Sequence, residues 1–313
     1  MLGGVRAPTT TPARPRPLEV TDLLVRVEDG RRVPVRRADV VDELRVRGQG
    51  RAARLASRLP VRAGGVLDER AVDALLVRIH CELQRLEEEL QQPRRCAELL
   101  RPWVEHWRAQ DPDRPVRVVD VGCGIGYLVR WLAHSGALGP GVELVGADLN
   151  PVLVEAARRL ARADRADDAT CRFVAGDAFA PGGVVDDPDR TIVMSVGLLH
   201  HLSPDELPAF FAAQATLGVA VFAHVDPDPD PLSTAAAWMF HRARMREPVS
   251  RHDGVLSVRR AHPGAVLLDA ARQGAPGYDV TVTDGRRLRP RVHAALRPVT
   301  GVRREPGARR SSR

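Results

Sequence analysis

The feature that most constrains the fold is a valine-rich run that leads into a glycine turn. Residues 118–121 read Val-Val-Asp-Val, Gly122, Gly124 and Gly126 follow, and an apolar helical pattern starts at Tyr127. A run of β-branched residues predicts a buried strand, and the glycines predict a tight turn into a helix. Backbone without Cβ atoms approaches a ligand closely, and free N–H groups at a helix start bind polar or anionic groups. The stretch therefore predicts an α/β fold that binds a small molecule across this turn.

The glycine spacing narrows the class of ligand. The dinucleotide fingerprint is G-x-G-x-x-G after a strand, whereas here Gly126 comes one residue early and Tyr127 stands where the fingerprint needs glycine. A nicotinamide-dependent oxidoreductase is therefore disfavoured, although it stays open. A second predicted strand, 142–146, leads to Asp148. A carboxylate about 20 residues after such a turn accepts the hydroxyl hydrogens of a ribose, so Asp148 indicates a nucleoside ligand.

Two further predicted strands are each followed by a short motif with polar residues. The third, at 171–176, is followed by Asp177-Ala178-Phe179, and the fourth, at 191–196, leads to Leu199-His200-His201-Leu202. Ligands of open α/β sheets lie beyond the carboxyl ends of the strands. We therefore expect the two histidines near the substrate.

In their order along the chain, these motifs make residues 116–300 resemble the class I S-adenosylmethionine-dependent methyltransferases of the small-molecule type. The resemblance implies S-adenosylmethionine as cofactor and transfer of its methyl group to O, N or C of a small-molecule metabolite. It also implies a Rossmann-like α/β sheet of seven strands in the order 3-2-1-4-5-7-6, with the last strand antiparallel. The cofactor-binding residues that it implies are Asp120, Gly122, Gly124, Gly126, Asp148, Leu149, Asp177, Ala178, Phe179 and Ser195.

The resemblance also assigns roles within this set. The glycine turn is expected to cradle the amino-acid end of the cofactor, with Asp120 receiving its ammonium group. Asp148 is expected to hold the ribose, and Leu149 to flank the adenine. Asp177 is expected to accept a hydrogen bond from the adenine amino group, with Phe179 over the ring.

His200 and His201 are the candidate catalytic residues. The cofactor carries the activated methyl group, so the protein need only align the nucleophile and take up a proton where one leaves. A histidine titrates near neutrality and suits that step as a base or as an orienting group. The alternative is structural: one histidine caps the loop and the other packs in the core.

The composition bears on partners and compartment. The net charge is +7, but all 47 basic residues are arginine and many lie near the termini, so the charge is weak evidence for nucleic acid. The segment after the fourth strand also lacks the Asn/Asp-Pro-Pro-aromatic motif that binds a base flipped out of a duplex. A nucleic-acid methyltransferase therefore remains only an alternative.

The four cysteines lack C-x-x-C spacing, so no metal site is predicted. No apolar run is long enough for a membrane span, which favours a cytoplasmic protein.

The domain organisation follows from these patterns. The N-terminal region is expected to form a hairpin around Asp29-Gly30 and then helices, in which the run Glu87–Glu89 is a solvated face. The fifth strand is expected at 217–225. After it, an insertion is expected to build the substrate pocket, with a helix from Ser233 and then a polar loop that contains Arg251, His252 and Asp253. Its arginines, with His252, indicate either an anionic substrate or a solvated surface. The boundaries are a disordered tail at 1–18, the N-terminal region at 19–114, the methyltransferase domain at 115–300 with its insertion at 232–274, and a disordered tail at 301–313. The oligomeric state is not predicted.

Overall fold

The computed structural model describes residues 16–28, 31–166, 171–283 and 296–305. The strands are β1 (Arg26–Glu28), β2 (Arg31–Val33), β3 (Val116–Val121), β4 (Val142–Asp148), β5 (Cys171–Ala175), β6 (Thr191–Val196), β7 (Val221–Pro227), β8 (Tyr278–Val282) and β9 (Leu296–Arg303). The helices are α1 (Arg37–Val46), α2 (Gly50–Ala56), α3 (Glu69–Glu89), α4 (Gln92–Gln110), α5 (Tyr127–Ser135), α6 (Pro151–Ala163), α7 (Leu207–Leu217), α8 (Pro231–Arg244), α9 (Pro248–Arg260) and α10 (Gly264–Gly274). Among these helices, none combines the length and the apolar character needed to cross a bilayer.

A seven-stranded sheet forms the centre of the fold, in the order β5-β4-β3-β6-β7-β9-β8. The first five strands in this order are parallel, and β9 runs antiparallel to both β7 and β8. Counted from β3, the order is 3-2-1-4-5-7-6, which confirms the predicted α/β topology. The central strands are buried along nearly their whole length, as expected for parallel strands covered on both faces by helices.

Helices cover both faces of the sheet. On one face, α4, α5 and α6 pack around a cluster that includes Leu100, Leu128 and Val154. On the other face, α7 and α10 pack around a cluster that includes Phe211 and Leu267. Each fully buried side chain of this size stabilises the fold by about 1.5–3 kcal/mol relative to the exposed state.

The N-terminal helices share a third core with the sheet domain. This core contains Leu75 and Ile79 of α3 together with Ile125 of the glycine turn, Leu153 of α6 and Val249 of α9. The region predicted at 19–114 is therefore packed directly on the domain that carries the glycine turn. The small hairpin β1–β2 pairs antiparallel as predicted, while its Asp29-Gly30 turn lies outside the described residues.

Three predicted boundaries are wrong. The polar loop expected around Arg251, His252 and Asp253 is helical, because these residues lie within α9. The fifth strand begins at Val221 instead of Leu217, because α7 continues to Leu217 and ends at Gly218, which has a φ of 69°. The last strand continues to Arg303, past the tail boundary at 301, because the Arg303 N–H donates to the carbonyl of Ala220 at 2.9 Å.

The predicted N-terminal tail also ends too late. Leu18 exchanges two hydrogen bonds with the side chain of Gln49, one from its N–H at 2.9 Å and one to its carbonyl at 2.7 Å. Residues 16–18 are thus held against the helical region. The remainder of the two predicted tails, 1–15 and 306–313, lies outside the described residues.

Candidate active site

The glycine turn connects the carboxyl end of β3 to α5. Gly122, Gly124 and Gly126 have φ angles of 73°, 56° and 68°, a left-handed conformation that side chains with a Cβ adopt at a cost of about 1–2 kcal/mol. A Cβ on Gly124 would lie 2.5 Å from the His80 ring, and one on Gly126 would lie 2.1 Å from the Phe173 ring. The turn therefore requires glycine both for its backbone angles and for the space beside it.

Asp148 holds the glycine turn in place. At the end of β4, its Oδ2 accepts a hydrogen bond from the Gly124 N–H at 2.8 Å, and its Oδ1 accepts one from the Asn150 N–H at 2.8 Å. The Asn150 side chain in turn caps α6 by accepting a hydrogen bond from the Val152 N–H at 3.0 Å. Asp148 lines the cavity next to the turn, and each of its oxygens has a second lone pair for a ligand.

Asp120 is a buried carboxylate with an unused acceptor. It is 3% exposed, and its Oδ1 has no hydrogen-bond partner among the described residues. Burial, together with the nearby charges of Glu87 and Asp148, raises the pKa of Asp120 well above its usual value. An unpaired buried carboxylate is costly unless a cation or donor complements it. Its position in the cavity wall suits the ammonium group of S-adenosylmethionine, and the glycine cradle suits the same end of that cofactor.

The cavity encloses about 710 Å³, within the range of roughly 300–1,000 Å³ that is typical of ligand sites. Its apolar wall comes mainly from α3 and α8 and their ends, through Leu83, Leu86, Leu90, Leu232 and Phe240. The carboxylates in its lining are Glu19, Glu87, Asp120, Asp148, Asp228 and Asp230.

The arginines of the insertion take no part in that lining. Arg242, Arg246 and Arg259 are exposed, and Arg260 is buried in an ion pair with Asp22. No arginine lines the cavity in the part of the chain that the structure describes. The cavity therefore gives no support to the anionic substrate that the sequence allowed.

The predicted cofactor residues separate into two groups. Asp120, Gly122, Gly124 and Asp148 line the cavity together, and Gly126 starts α5 behind them, facing Phe173. The second group lies outside the cavity lining. Leu149 is 53% exposed, and Asp177 accepts a hydrogen bond from the Phe179 N–H at 2.9 Å. Ala178 packs against the core that includes α7, and the Phe179 ring contacts the Phe210 ring edge-on, with 5.8 Å between their centroids. The adenine contacts of Leu149, Asp177 and Phe179, and the cofactor contact of Ala178, stay predictions.

Ser195 is also predicted to bind the cofactor, but the structure places its side chain in the core. It is fully buried in β6, and its hydroxyl contacts Nδ1 of His224 at 2.9 Å, while His224 Nε2 contacts Gln214 Oε1 at 3.0 Å. Ser195 does not line the cavity. The reason is the alternation of a strand, which turns this side chain into the core beside β7.

The two histidines follow β6 in a short 3₁₀ turn, Leu199–His201, and both line the cavity. His200 is 5% exposed, and its Nδ1 lies 3.0 Å from Oδ1 of Asp226 on β7. His201 places its Nδ1 2.8 Å from Oδ1 of Asp22. Burial lowers the pKa of His201, but the charges of Glu19 and Asp22 outweigh burial and raise it above its usual value. Each ring has a carboxylate partner and lines the cavity, so both stand where the predicted role near the substrate requires them. Their catalytic role stays a prediction.

Glu19 completes this group, and sequence reasoning missed it. It is 4% exposed and lines the cavity, with Oε1 3.8 Å from Nε2 of His200. One donor atom each from Glu19, His200 and His201 lie within 4.8 Å of one another. Burial raises the pKa of the Glu19 carboxyl, against the effect of the two histidines.

Residues of α9 fasten the segment that carries Glu19. The Asp253 carboxylate accepts hydrogen bonds from the N–H groups of Val20 and Thr21, at 3.1 and 3.0 Å. Arg260 pairs with Asp22 and donates to the carbonyls of His200 and His201, at 2.6 and 3.1 Å. These contacts join the N-terminal segment, α9 and the histidine turn into one unit.

Glu87 is a second residue that sequence reasoning misplaced. It is half-buried and lines the cavity, whereas Glu88 and Glu89 are exposed as expected. Burial raises the pKa of Glu87 to about 7. The solvated-face interpretation is therefore wrong for this one position, because α3 turns Glu87 toward the glycine turn.

Part of the chain matches a known protein family. Residues 118–217 match the family described as "Methyltransferase domain". No curated protein sequence matches the chain. The plantazolicin methyltransferase BamL, solved with a triazolic desmethylPZN analogue and SAH, is similar in structure, with a TM-score of 0.50, 13% identity, and coverage of 74% of this chain and 96% of that one.

Magnesium protoporphyrin IX methyltransferase (ChlM) from Synechocystis PCC 6803, solved with SAH, also matches. Its TM-score is 0.43 at 17% identity, and the alignment covers 85% of this chain and 99% of that one. The structural similarity to BamL, at 13% identity, establishes the fold alone, while the family match establishes the domain. Residues 118–217 therefore form a methyltransferase domain, and the resemblance of the chain to the class I S-adenosylmethionine-dependent methyltransferases is confirmed.

Proposed function

We propose that the protein transfers the methyl group of S-adenosylmethionine to an O or N atom of a small, largely apolar molecule held in the cavity. One observation carries the proposal. The glycine turn with Asp120 and Asp148 lines the same cavity as Glu19, His200 and His201. Asp120 lies on β3 and Asp148 at the end of β4. His200 follows β6 and Asp226 lies on β7, and these two strands come directly after β3 in the order of the sheet. The cofactor and the acceptor would therefore be bound side by side.

The chemistry requires little from the protein. The cofactor supplies a methyl group on a sulfonium, which an acceptor lone pair displaces in line. Asp120 would bind the ammonium group and Asp148 the ribose, which fixes the methyl donor relative to the sheet. The acidic lining favours a cationic cofactor over an anionic one. His200, His201 and Glu19 would hold the acceptor atom and receive or direct its proton.

The apolar wall supports a substrate with a hydrocarbon or aromatic body. Leu83, Leu86 and Phe240 line the cavity, and apolar contacts of this kind stabilise a bound ligand by about 25 cal/mol per Å² of buried area. A nucleic-acid acceptor would instead need a basic surface at the site mouth. The lining of the described residues contains carboxylates and no arginine.

The test is a methylation assay. The purified chain would be incubated with isotopically labelled S-adenosylmethionine and a library of small apolar hydroxy and amino compounds, and mass spectrometry would detect products that carry the label. Isothermal calorimetry would measure binding of the cofactor, of S-adenosylhomocysteine and of NADH. Binding of NADH alone would overturn the proposal, and label found only in added RNA would replace it with the nucleic-acid alternative.

A matched pair on α8 tests the position of the substrate. Phe240 lines the cavity, while Trp238, two residues earlier, is 54% exposed. Phe240→Ala should raise the KM for the substrate by about tenfold or more, and Trp238→Ala should leave it unchanged. Equal effects of the two variants would contradict this placement.

A further inference from the structure

We infer that Glu19, His200 and His201 form a binding site for one divalent transition-metal ion at the wall of the methyl-transfer cavity. The three residues offer one carboxylate and two imidazole donors within 4.8 Å of one another. An ion bonded at about 2.0–2.2 Å to an imidazole nitrogen and a carboxylate oxygen separates the two by roughly 3.5 Å in tetrahedral geometry. The observed distance from His200 Nε2 to Glu19 Oε1 is 3.8 Å, too long for a hydrogen bond and close to that separation.

Carboxylates behind both rings select the tautomer that a metal ion needs. His200 Nδ1 lies 3.0 Å from Asp226, and His201 Nδ1 lies 2.8 Å from Asp22. Each Nδ1–H then donates to its carboxylate, which leaves the Nε2 lone pair of each ring available. Histidines that bind metal ions almost always donate their other N–H in this way, which fixes the ring and raises its basicity.

The local charge favours a bound cation. Three carboxylates, Glu19, Asp22 and Asp226, contact the rings or face them, and Arg260 is the guanidinium that ion-pairs with two of these carboxylates. Arg16 lies nearby, where it donates to the carbonyls of His200 and Arg260. With neutral imidazoles, the three carboxylates outnumber the guanidinium groups of Arg260 and Arg16 by one. Asp226 is fully buried, and its Oδ2 has no hydrogen-bond partner among the described residues, so this charge has little compensation from donors.

The donors are held in place before any ion binds. The Ser257 hydroxyl donates to Oε1 of Glu19 at 2.8 Å, and Asp253 fastens the N–H groups of Val20 and Thr21. His200 and Glu19 are 5% and 4% exposed. A preorganised site binds its ligand more tightly because less conformational freedom is lost on binding.

The donor set also indicates the class of ion. Two imidazoles and one carboxylate favour Zn²⁺, Fe²⁺, Co²⁺ or Mn²⁺, whereas Mg²⁺ and Ca²⁺ prefer oxygen ligands alone. Three protein ligands leave at least one coordination position free, as in metal sites that act on a substrate. All three ligands line the cavity, so that position is available to the methyl acceptor.

The role of the ion rests on the proposed function. A hydroxyl oxygen of the acceptor that binds the ion would lose its proton to water more readily, because the cation lowers its pKa. The oxygen lone pair then forms the bond to the methyl carbon, and the electron pair of the breaking C–S bond passes to sulfur. The cofactor leaves as a neutral thioether. The proton goes to solvent and not to the histidines, because their Nε2 lone pairs are bound to the ion.

The first experiment measures metal binding without methyl transfer. Chelator-treated full-length protein is titrated with Co²⁺, whose visible absorption reports nitrogen and oxygen ligation, and then with Zn²⁺ in competition. Bound metal is counted by elemental mass spectrometry after dialysis. We expect one ion per chain. Asp226→Asn should weaken binding by about 10- to 100-fold, and Glu19→Gln or His201→Ala by at least as much.

Glu87→Gln is the matched control, because it removes another carboxylate of the cavity outside the donor set and should bind Co²⁺ like the wild type. Zn²⁺ should raise the thermal midpoint of the wild type but not of Glu19→Gln, which separates lost binding from lost folding. Absence of a stoichiometric ion, or equal affinity in the wild type and Glu19→Gln, would overturn the metal site. Methyl transfer that persists in chelator would overturn the role of the ion while leaving the proposed function intact.

Discussion

The N–H of Gly124 donates a hydrogen bond to Oδ2 of Asp148 at 2.8 Å. This contact ties the glycine turn after β3 to the end of the neighbouring strand β4. It gives Asp148 two tasks, because the carboxylate that faces the cavity also sets the backbone of the turn. Substitutions at this residue therefore report on both the cofactor and the turn.

Asp148→Ala should weaken binding of S-adenosylmethionine by about tenfold or more, because a hydrogen bond to a charged group contributes about 1.5–3 kcal/mol. Asp148→Asn should have a smaller effect, since its amide oxygen still accepts a hydrogen bond. Isothermal calorimetry measures both affinities. Asp113→Ala, an exposed aspartate before β3, is the control. Unchanged affinity in Asp148→Ala would contradict the placement of the ribose.

Gly124→Ala should destabilise the protein by about 1–2 kcal/mol through its left-handed backbone alone. A second contribution comes from His80, whose ring lies 2.5 Å from the position of the added Cβ. Urea unfolding of Gly124→Ala, His80→Ala and the double variant separates the two effects. In the double variant the Gly124→Ala substitution should cost less unfolding free energy, because the clash with the His80 ring is gone and only the backbone cost remains. Strictly additive losses in the two single variants would show that His80 does not clash with the added Cβ.

His224 should make stability fall at acid pH. Burial lowers its pKa from 6.5 to about 3, so the folded state keeps it neutral while the unfolded state takes up a proton below pH 6.5. The unfolded state then binds more protons, and stability is lost as the pH falls from 6.5 toward 3, by up to about 1.4 kcal/mol per pH unit. Urea unfolding between about pH 7 and about pH 5 measures this slope. His224→Gln should show a shallower slope, and identical slopes would exclude His224 as the cause.

Asp253→Ala should release the N-terminal segment. The buried N–H groups of Val20 and Thr21 would lose their acceptor, which should cost about 2 kcal/mol or more in the free energy of unfolding. Methyl transfer should fall while the affinity for S-adenosylmethionine changes little, because Asp253 contacts the Glu19 side of the site. Asp253→Asn, which keeps one acceptor oxygen, should retain more activity. Loss of cofactor affinity without loss of turnover would contradict this division.

The sheet could be predicted from the sequence because its signals are local. The valine-rich strand, the glycine turn and Asp148 each show their role in a few consecutive residues, and the strand order follows from the family that they indicate. Asp120, Gly122, Gly124, Asp148, His200 and His201 line the cavity together.

Glu19 and Glu87 could not be predicted in the same way. Glu19 reaches the cavity through contacts with α9 and the histidine turn, which lie far from it in sequence. Glu87 differs from Glu88 only by the rotation of α3. The helix α9 lacked an apolar stripe because its buried face includes Ser250 and Asp253 as well as Val249, so hydrophobic periodicity could not reveal it.

The attachment of Glu19 to α9 bears on how the protein is made. A ribosome synthesises Glu19 early, but the residues that hold it, Ser257 and Arg260, are translated only in the last fifth of the chain. The side of the cavity that carries Glu19 therefore reaches its final contacts only after strands β3 to β7 have been translated.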